Sequence, residues 1–409
     1  MSNRERTFQR SMLRRAACAA AALVLAGVPA LAGPTRVTVR IDMRGPIKAG
    51  WFDPATETVG LRGGTPPLSW GSTLKAVDPD HDGVYEVQVA FDVTPGRGSF
   101  VSYKFKVDGT DNPNDGWETA GNRPLPLPSA NSTTERAYDA PGPDFPSTLS
   151  APVRTYAAFP SKFVSPRTVT VLLPPGYAKS SRTRYPVLYM HDGQNLFDAR
   201  TAHAAEWRVD ETAVELTRKA RVAPVIIVGV ASNPESRFAD YTPTAIANPT
   251  TNPPSTVGGS ADSYGRFLVE ELKPFIDKNF RTIADREHTG LAGSSLGGLV
   301  TMYLGLKYPG TFSRLAVVSP SVFWDDFFIV KDVERQTAKL PLRVWLDIGT
   351  SESTDAAPDA ERLRDALVAK GWKLGGDLKF VEVQGGTHDE SAWAARFGQM
   401  LEYLFPAGR

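Results

Sequence analysis

The chain has 409 residues, of which 41% are hydrophobic, and a formal net charge of +1. This length and composition predict an ordered protein of about two domains and exclude a disordered or fibrous one. Because charge is balanced and no basic run is interleaved with aromatic residues, we predict no nucleic-acid binding and expect a small or neutral substrate.

The N-terminal segment, residues 1–32, has the pattern of a secretory signal peptide. Basic residues precede the apolar run AACAAAALVLAGVPALA, and Ala30 and Ala32 form an A-x-A cleavage site. A short membrane anchor is the alternative, but the run falls short of the about 20 residues of a membrane span. We therefore expect an exported protein, in a periplasm or the medium, with no membrane span in the mature chain. Cys18, the only cysteine, lies inside this segment, so we expect no disulfide and no cysteine-ligated metal after cleavage.

Residues 33–140 predict a small all-β sandwich domain, and residues 141–152 predict a linker rich in Pro and Ser. The predicted strands alternate in polarity and cover 35–43, 57–63, 83–91 and 100–109. The segment DPDHDG, residues 78–83, resembles the start of a calcium-binding EF-hand loop. Val89 stands where that loop needs a bidentate glutamate, so we interpret the segment as a turn.

Residues 153–409 predict an α/β domain with a mostly parallel sheet, because apolar strand-like runs alternate with amphipathic segments of helix length. The predicted strands are 167–174, 185–192, 223–231, 288–293, 313–320, 342–349 and 378–385, and the predicted helices are 208–220, 261–280, the segment after Ser295, 357–372 and 391–405. In an open sheet of this kind, reactive groups gather at the carboxyl ends of the strands.

The stretch LAGSSLGGLV, residues 291–300, places Ser295 between a predicted strand and a predicted helix. This is the context of a nucleophile elbow, in which Gly293 and Gly297 relieve crowding at a strained turn. A Gly- and Ser-rich turn of this type is also common in packing, so the pentapeptide alone is weak evidence. His388 follows the last predicted strand and would accept the proton of the serine hydroxyl.

A third group has to orient the imidazole, and the stretch LDIGTSESTD offers carboxylates just after a predicted strand. We predict Glu352 as this acid, with Asp355 and Asp347 as alternatives. Asp347 lies within the strand, where a structural hydrogen-bonding role is expected. The resulting order of serine, acid and histidine is that of α/β-hydrolases.

The loop YMHDGQNLFD, residues 189–198, follows an early strand and predicts one side of an oxyanion hole. The backbone amides of Gln194 and Leu296 are the expected donors. His191 and Asp192 suggest a metal site, but the other histidines of the mature chain show no ligand spacing with His191. We therefore predict no metal and no cofactor.

Residues 153–406 resemble the esterase branch of the α/β-hydrolases that includes feruloyl and acetyl xylan esterases, S-formylglutathione hydrolase, enterobactin-type siderophore esterases and mycolyltransferases. The resemblance is carried in order by VLLPPGY, YMHDGQNLFD, EWRVDETAVEL, GSSLGG, SPSVFW, DIGTSES and GGTHDESAW. It implies a triad of Ser295, Glu352 and His388 with oxyanion donors at Gln194 and Leu296. Many members carry an aspartate in a GTxD-like turn, whereas this chain has Glu352 there and Asp355 three residues later.

The N-terminal region resembles a starch-binding-type carbohydrate module through stretches such as ETVGLRGGTPPLSWG and DGVYEVQVAF. The resemblance implies a sugar platform formed by Trp70, Trp117 and Lys106, since an exposed indole stacks on the apolar face of a sugar ring. A core or domain-interface role for the tryptophans is the alternative.

Two further features are expected near the mouth of the site. The insert 243–260 is rich in Pro and Thr, and we expect it to be irregular and to border the entrance. Phe323 and Trp324 follow a predicted strand and are candidates for the acyl or alcohol pocket, with core packing as an equal alternative.

The sequence thus predicts an exported serine hydrolase whose substrate is a small-molecule or carbohydrate-linked carboxylic ester, such as an acetyl or feruloyl ester, with polysaccharide as a candidate partner of the β domain. The alternatives are a siderophore trilactone esterase and a carbohydrate-binding protein with an inactive hydrolase domain. Acyl transfer to an alcohol instead of water also stays open.

Overall fold

The computed structural model describes residues 35–91, 100–109, 113–118, 122–127, 131–139, 147–203, 205–248 and 255–408. The predicted signal peptide and Cys18 lie outside these residues. Within them, no helix combines the length and the apolar character needed to cross a membrane.

The N-terminal region forms two small sheets around one core. Its elements are β1 (Thr35–Asp42), α1 (Arg44–Ala49), β2 (Thr58–Gly63), β3 (Leu74–Lys75), β4 (Val84–Phe91), β5 (Phe100–Asp108), β6 (Arg123–Pro126) and β7 (Ser132–Ala137). One sheet has the order β4-β1-β7 and the other β3-β2-β5-β6. Alternation turns Val37, Val39 and Ile41 of β1 inward, where each is at most 1% exposed. The predicted small all-β region is present.

The rest of the chain forms an α/β domain around one eight-stranded sheet. Its strands are β8 (Val153–Phe159), β9 (Arg167–Leu172), β10 (Val187–His191), β11 (Ile226–Val230), β14 (Thr289–Ser294), β15 (Arg314–Val318), β16 (Arg343–Gly349) and β17 (Leu378–Val383). Their order in the sheet is β17-β16-β15-β14-β10-β11-β9-β8. The neighbouring pairs β11–β10, β10–β14, β14–β15, β15–β16 and β16–β17 are parallel. Strand β9 is antiparallel to both of its neighbours, β11 and β8. The predicted α/β fold with a mostly parallel sheet is confirmed.

Helices cover both faces of this sheet. They are α2 (Val209–Arg218), α3 (Arg237–Asp240), α4 (Ala261–Arg266), α5 (Lys273–Asn279), α6 (Leu296–Lys307), α7 (Trp324–Arg335), α8 (Ala356–Lys370) and α9 (Glu390–Leu404), with a π-helical segment, Phe267–Leu272, between α4 and α5. One core lies against α4 to α8, and the other lies against α2 and α9. Because the central strands are buried on both faces, as in β10 and β11, they are largely apolar and do not alternate.

Several segments differ from the sequence predictions, among them the insert and helix α7. The described part of the insert forms an antiparallel pair, β12 (Ala245–Asn248) and β13 (Ser255–Gly258), so the expectation of an irregular segment is wrong there. Helix α7 was not predicted. Its first turn is left-handed at Asp325, Asp326 and Phe327, where φ is 48°, 49° and 61°.

Candidate active site

Ser295 lies at a sharp turn between β14 and α6, at the carboxyl edge of the sheet. Its backbone has φ 60° and ψ −123°, a conformation that L residues adopt only when the surroundings impose it. The surroundings here are hydrogen bonds, because the Ser295 amide donates to the Val318 carbonyl over 3.0 Å and its own carbonyl accepts from Leu299 and Ser321 at 3.1 Å each. The strained turn projects the hydroxyl from the end of the strand.

The glycines around this turn have unequal roles. A Cβ on Gly293 would lie 2.8 Å from His191 Cδ2 and 2.8 Å from the Gly297 carbonyl oxygen, so only glycine fits. A Cβ on Gly297 would find its nearest atom, the Cβ of His191, at 3.4 Å, which is an ordinary contact. Gly298, which was not singled out, is tighter, since a Cβ there would lie 2.8 Å from the Val318 carbonyl oxygen.

His388 lies in the loop between β17 and α9 and contacts both Ser295 and Glu352. Its Nε2 is 3.0 Å from Ser295 Oγ, and its Nδ1 is 2.7 Å from Glu352 Oε2. The indole of Trp393 lies edge-on to the imidazole with the ring centroids 5.1 Å apart. Asp389 caps the start of α9 by accepting from the Ala392 amide, which fixes where the loop ends.

The carboxylate that reaches His388 is Glu352 rather than either alternative. Glu352 Oε1 accepts from the Gly349 amide at 2.7 Å and from Ser319 Oγ at 2.5 Å. Burial acts to raise the pKa of Glu352, but the hydrogen bonds from His388 and Ser319 outweigh it and hold the pKa below its usual value. Asp355 is exposed at the start of α8, and Asp347 is fully buried against Trp345 Nε1 and Arg396 Nη2.

A polar network behind the acid was not predicted from the sequence. The hydroxyl of Ser319 donates to Glu352 and accepts from Trp393 Nε1 at 3.0 Å and from Arg396 Nη2 at 2.6 Å. Arg396 is 3% exposed and also lies 3.0 Å from Asp347 and 3.6 Å from Glu352. This buried guanidinium therefore compensates two buried carboxylates beside the imidazole.

The loop that carries Gln194 adjoins the elbow. Asp192 takes a left-handed backbone with φ 53°, and a short 3₁₀ turn, Gly193–Asn195, follows it. A Cβ on Gly193 would lie 2.5 Å from the Gly229 carbonyl carbon, so a close backbone approach requires glycine here. The Gln194 side chain exchanges two hydrogen bonds of 3.1 Å with Ser232, which fixes the loop.

Leu296, the other expected oxyanion donor, is the first residue of α6. Its amide therefore has no acceptor within the helix, and the positive end of the helix dipole lies at this turn. The His191 ring against Gly293 and Gly297 joins the Gln194 loop to this turn. Both expected amide donors thus belong to backbone segments that meet beside Ser295.

His191 and Asp192 are tied into a buried structural cluster. His191 Nδ1 is 2.8 Å from the Tyr264 hydroxyl, and burial lowers the pKa of His191 to about 4, so the ring is neutral near pH 7. Asp192 forms a bidentate pair with Arg237, both oxygens at 2.8 Å, and its amide donates to the Tyr241 hydroxyl. These contacts hold the start of the Gln194 loop in place.

Aromatic side chains lie beside the insert. Trp324 is 4% exposed and donates to Thr244 of the insert, so it packs beneath the β12–β13 pair. Phe323 is 61% exposed, and Phe238, which the sequence did not indicate, is 50% exposed and lies with its ring centroid 5.7 Å from that of Trp324. Phe323 and Phe238 therefore expose apolar surface next to the insert, and a pocket role for Phe323 stays a prediction.

The residues of the predicted sugar platform lie close together in the β domain. The ring centroids of Trp70 and Trp117 are 6.2 Å apart, and Arg62 lies over the Trp117 ring. Lys106 is buried, and its ammonium donates to the Val107 and Asp115 carbonyls. That ammonium is occupied by the protein itself, so the two indoles would have to provide any sugar contact, and the platform stays a prediction.

The β domain contacts the site through two loops. The hydroxyl of Thr65 lies 3.2 Å from that of Ser391, three residues after His388, and the Asn122 side chain donates to the His203 carbonyl. The β domain therefore adjoins the helix that follows the His388 loop and the segment around His203.

The comparisons with known proteins give a family match over most of the α/β domain. Residues 161–404 match the family model described as "Putative esterase". The chain is 25% identical over 244 residues to the endo-1,4-beta-xylanase/feruloyl esterase of Xylanibacter ruminicola, a match that covers 58% of this chain and 29% of that protein. It is 29% identical over 214 residues to the ferri-bacillibactin esterase BesA of Bacillus subtilis, covering 50% of this chain and 67% of BesA.

The fold likeness extends beyond the α/β domain. A crystal structure of the enterobactin esterase FES from Shigella flexneri in the presence of enterobactin matches 85% of this chain and 87% of its own with a TM-score of 0.57. The sequence identity is 16%, so this likeness shows the fold alone.

Proposed function

The chain belongs to this esterase family, and from that membership together with the geometry around Ser295 we propose that it is an exported serine esterase acting through Ser295, His388 and Glu352. That it is a carboxylic ester hydrolase follows from the family. The triad, the export and the substrate are the parts that we propose.

The observation that carries the triad is the pair of hydrogen bonds through His388. With Nδ1 donating to Glu352 at 2.7 Å, Nε2 is left as the acceptor that faces Ser295 Oγ at 3.0 Å. A serine hydroxyl is too weak an acid to attack an ester unaided, and an imidazole in this tautomer is the general base that it needs.

The reaction then follows from these positions. Ser295 Oγ attacks the ester carbonyl while His388 takes its proton, and the amides of Gln194 and Leu296 donate to the tetrahedral oxyanion. His388 returns the proton to the leaving alcohol, which leaves an acyl group on Ser295. A water molecule, deprotonated by the same imidazole, releases the acid and restores the serine. Apart from the substrate and this water molecule, these steps use only groups of this chain.

For the substrate, we propose a carboxylic ester linked to a carbohydrate, such as a feruloyl or acetyl ester. The relative from Xylanibacter ruminicola, whose name includes a feruloyl esterase, supports an aromatic acyl group. The exposed rings of Phe238 and Phe323 beside the insert support it as well, since aromatic faces stack on one another.

A second candidate substrate is a catecholate trilactone of the enterobactin type. The relative from Bacillus subtilis, which is named a ferri-bacillibactin esterase, supports a siderophore ester. The fold match to the enterobactin esterase covers more of the chain than the α/β domain and so includes part of the β domain. The contacts of Thr65 and Asn122 with the α/β domain support a β domain that limits the cleft rather than a remote anchor on polysaccharide.

The proposal of export rests on residues 1–32, whose basic, apolar and A-x-A parts predict a signal peptide.

The first test of the reaction is hydrolysis of p-nitrophenyl acetate by the mature protein and by Ser295→Ala. We expect the variant to lose at least about 10⁴-fold in kcat/KM, whereas Ser294→Ala, at the neighbouring buried serine, should stay within about threefold. Equal activity of Ser295→Ala and the parent would refute the nucleophile.

The substrate is tested by comparing kcat/KM for a feruloylated oligosaccharide, for methyl ferulate and for a catecholate trilactone. A preference of about tenfold or more for the oligosaccharide over methyl ferulate supports the carbohydrate ester, since such a ratio requires contacts with the sugar. Equal rates on the two ferulates together with faster trilactone hydrolysis would favour the second candidate.

A further inference from the structure

Three carboxylates converge on a site away from Ser295, where the linker meets helix α2. Glu206, Asp210 and Glu211 each place one carboxylate oxygen within 4.8 Å of the others. Asp210 is fully buried, while Glu206 and Glu211 are partly buried. The site therefore holds three acidic groups in one small, partly enclosed volume.

Each of these carboxylates uses one oxygen in a contact. Glu206 Oε2 accepts from Thr148 Oγ1 at 2.8 Å, and Asp210 Oδ2 accepts from the amide and hydroxyl of Ser150 at 2.6 and 2.9 Å. Glu211 Oε1 lies 3.5 Å from Arg208 Nε.

The other oxygens, Glu206 Oε1, Asp210 Oδ1 and Glu211 Oε2, are buried and have no hydrogen-bond partner among the residues that the structure describes. An ionised carboxylate oxygen that is buried without a partner is costly, and three together repel one another. Arg208, half exposed at the rim, is the one cation paired with the cluster among the described ion pairs. The unpaired oxygen of the fully buried Asp210 is the feature that calls for a cation.

We propose that Glu206, Asp210 and Glu211 bind one calcium ion that fastens the linker segment 147–150 to the α/β domain. All available ligand atoms are hard oxygens, which suit calcium, and no histidine belongs to the group. The part-exposed glutamates leave room for water molecules to complete a shell of 6–8 oxygens. This inference departs from the sequence prediction of no metal.

The position of the site gives the ion a structural role. The amide of Trp207, next to Glu206, donates to the Asn195 carbonyl at 2.8 Å, just after Gln194. The Trp207 ring packs on Trp393 with centroids 5.7 Å apart, and Trp393 in turn contacts His388. A bound ion would hold in place the segment on which the Gln194 loop and the His388 loop both rest, without touching the reacting atoms.

The test uses the whole mature protein, stripped with EDTA and then titrated with calcium chloride. Equilibrium dialysis should show one calcium equivalent that is lost in Glu211→Gln and kept in Glu215→Gln, a matched change at an exposed residue of the same helix that pairs with Lys219. Asp78, Asp80 and Asp82 form a second acidic group in an exposed turn and could also bind calcium. The dialysis is therefore repeated with Asp80→Asn added to each protein, so that calcium bound at this turn is not counted.

Thermal unfolding gives an independent readout. Saturating calcium should raise the Tm of the parent and of Glu215→Gln by roughly 5 °C, and should leave Glu211→Gln unchanged. The same stoichiometry in Glu211→Gln as in the parent would overturn the proposal, and an equal rise with magnesium would overturn the choice of calcium.

The competing explanation is that protons neutralise the cluster. Burial, aided by the neighbouring carboxylates, raises the pKa of Glu206 to about 8 and that of Glu211 to about 7. A hydrogen bond between Glu211 and Asp210 also raises the pKa of Glu211, since a protonated Glu211 can donate to Asp210. In that case the stability of the stripped parent would rise as the pH is lowered from 8 to 6, and calcium would have no effect on it. That result would refute the calcium site.

Discussion

Replacing Glu352 by glutamine is the most informative single change, because it alters the charge and the hydrogen-bond pattern at nearly constant shape. The new side chain can keep its oxygen toward the Gly349 amide and Ser319 Oγ, which turns its NH₂ group toward His388 Nδ1. An NH₂ group can only donate, so Nδ1 has to accept and the ring proton moves to Nε2. In that tautomer His388 cannot take the proton of Ser295.

The size of the loss follows from this tautomer and from the nearby guanidinium. In a serine protease triad, the corresponding change from aspartate to asparagine lowers kcat by about 10⁴-fold. Here Arg396 lies 3.6 Å from Glu352 and already offsets part of its charge, so the charge contributes less. We expect a loss of about 10³-fold in kcat/KM, equivalent to about 4 kcal/mol of transition-state stabilisation.

The assay is hydrolysis of p-nitrophenyl acetate at constant pH, with circular dichroism and Tm to show that the variant is folded. Asp355→Asn is the matched control, because Asp355 is the sequence alternative and is exposed at the start of α8. It should stay within about twofold of the parent, as is usual for exposed sites. A larger loss in Asp355→Asn than in Glu352→Gln, or a Glu352 variant that keeps more than a tenth of the activity, would refute the assignment.

Three further outcomes are expected. Arg396→Met leaves buried carboxylates uncompensated and should lower the free energy of unfolding by roughly 3–5 kcal/mol in urea titration; a loss under 1 kcal/mol would contradict this. Gly293→Ala should lower the Tm clearly, because its Cβ would meet His191 at 2.8 Å, whereas Gly297→Ala should change it little; equal melting of the two would show that the contact relaxes. Burial raises the pKa of Asp347 to about 6, so the folded state holds an extra proton between about pH 4 and 6 and this group's contribution to stability falls as pH rises through that window. Asp347→Asn should remove that slope in urea titrations at pH 4.5 and 7, and an unchanged slope would assign it to other groups.

Most of the sheet could be predicted because its central strands are buried on both faces and therefore largely apolar. The seven predicted strands of the α/β domain coincide with β9, β10, β11 and β14 to β17. Within the eight-stranded sheet, the one strand without a prediction, β8, lies at the edge and is largely exposed, so it carries no apolar signal. Helix α7 was missed because its first turn is polar and left-handed, which breaks the helical period.

The candidate site also has a part that the sequence predicts and a part that it does not. Ser295, Glu352 and His388 each follow a strand end, so chain order alone suggested that they meet, and the structure brings them within hydrogen-bond distance. The network behind them gave no such signal. Ser319 meets Arg396 across 77 residues of sequence, and a single arginine in an amphipathic helix normally predicts an exposed side chain.

The acidic cluster shows what apolar pattern analysis leaves out. Glu206 precedes α2, and Asp210 and Glu211 lie in its first turn, where acidic residues are common. The linker has no apolar period, so neither segment predicts a contact. They meet because the hydroxyls and an amide of Thr148 and Ser150 donate to the carboxylates, a polar contact with no hydrophobic signature. Those few donors leave one buried oxygen on each acid without a hydrogen-bond partner. These unpartnered oxygens are the reason for proposing a cation where the linker contacts α2.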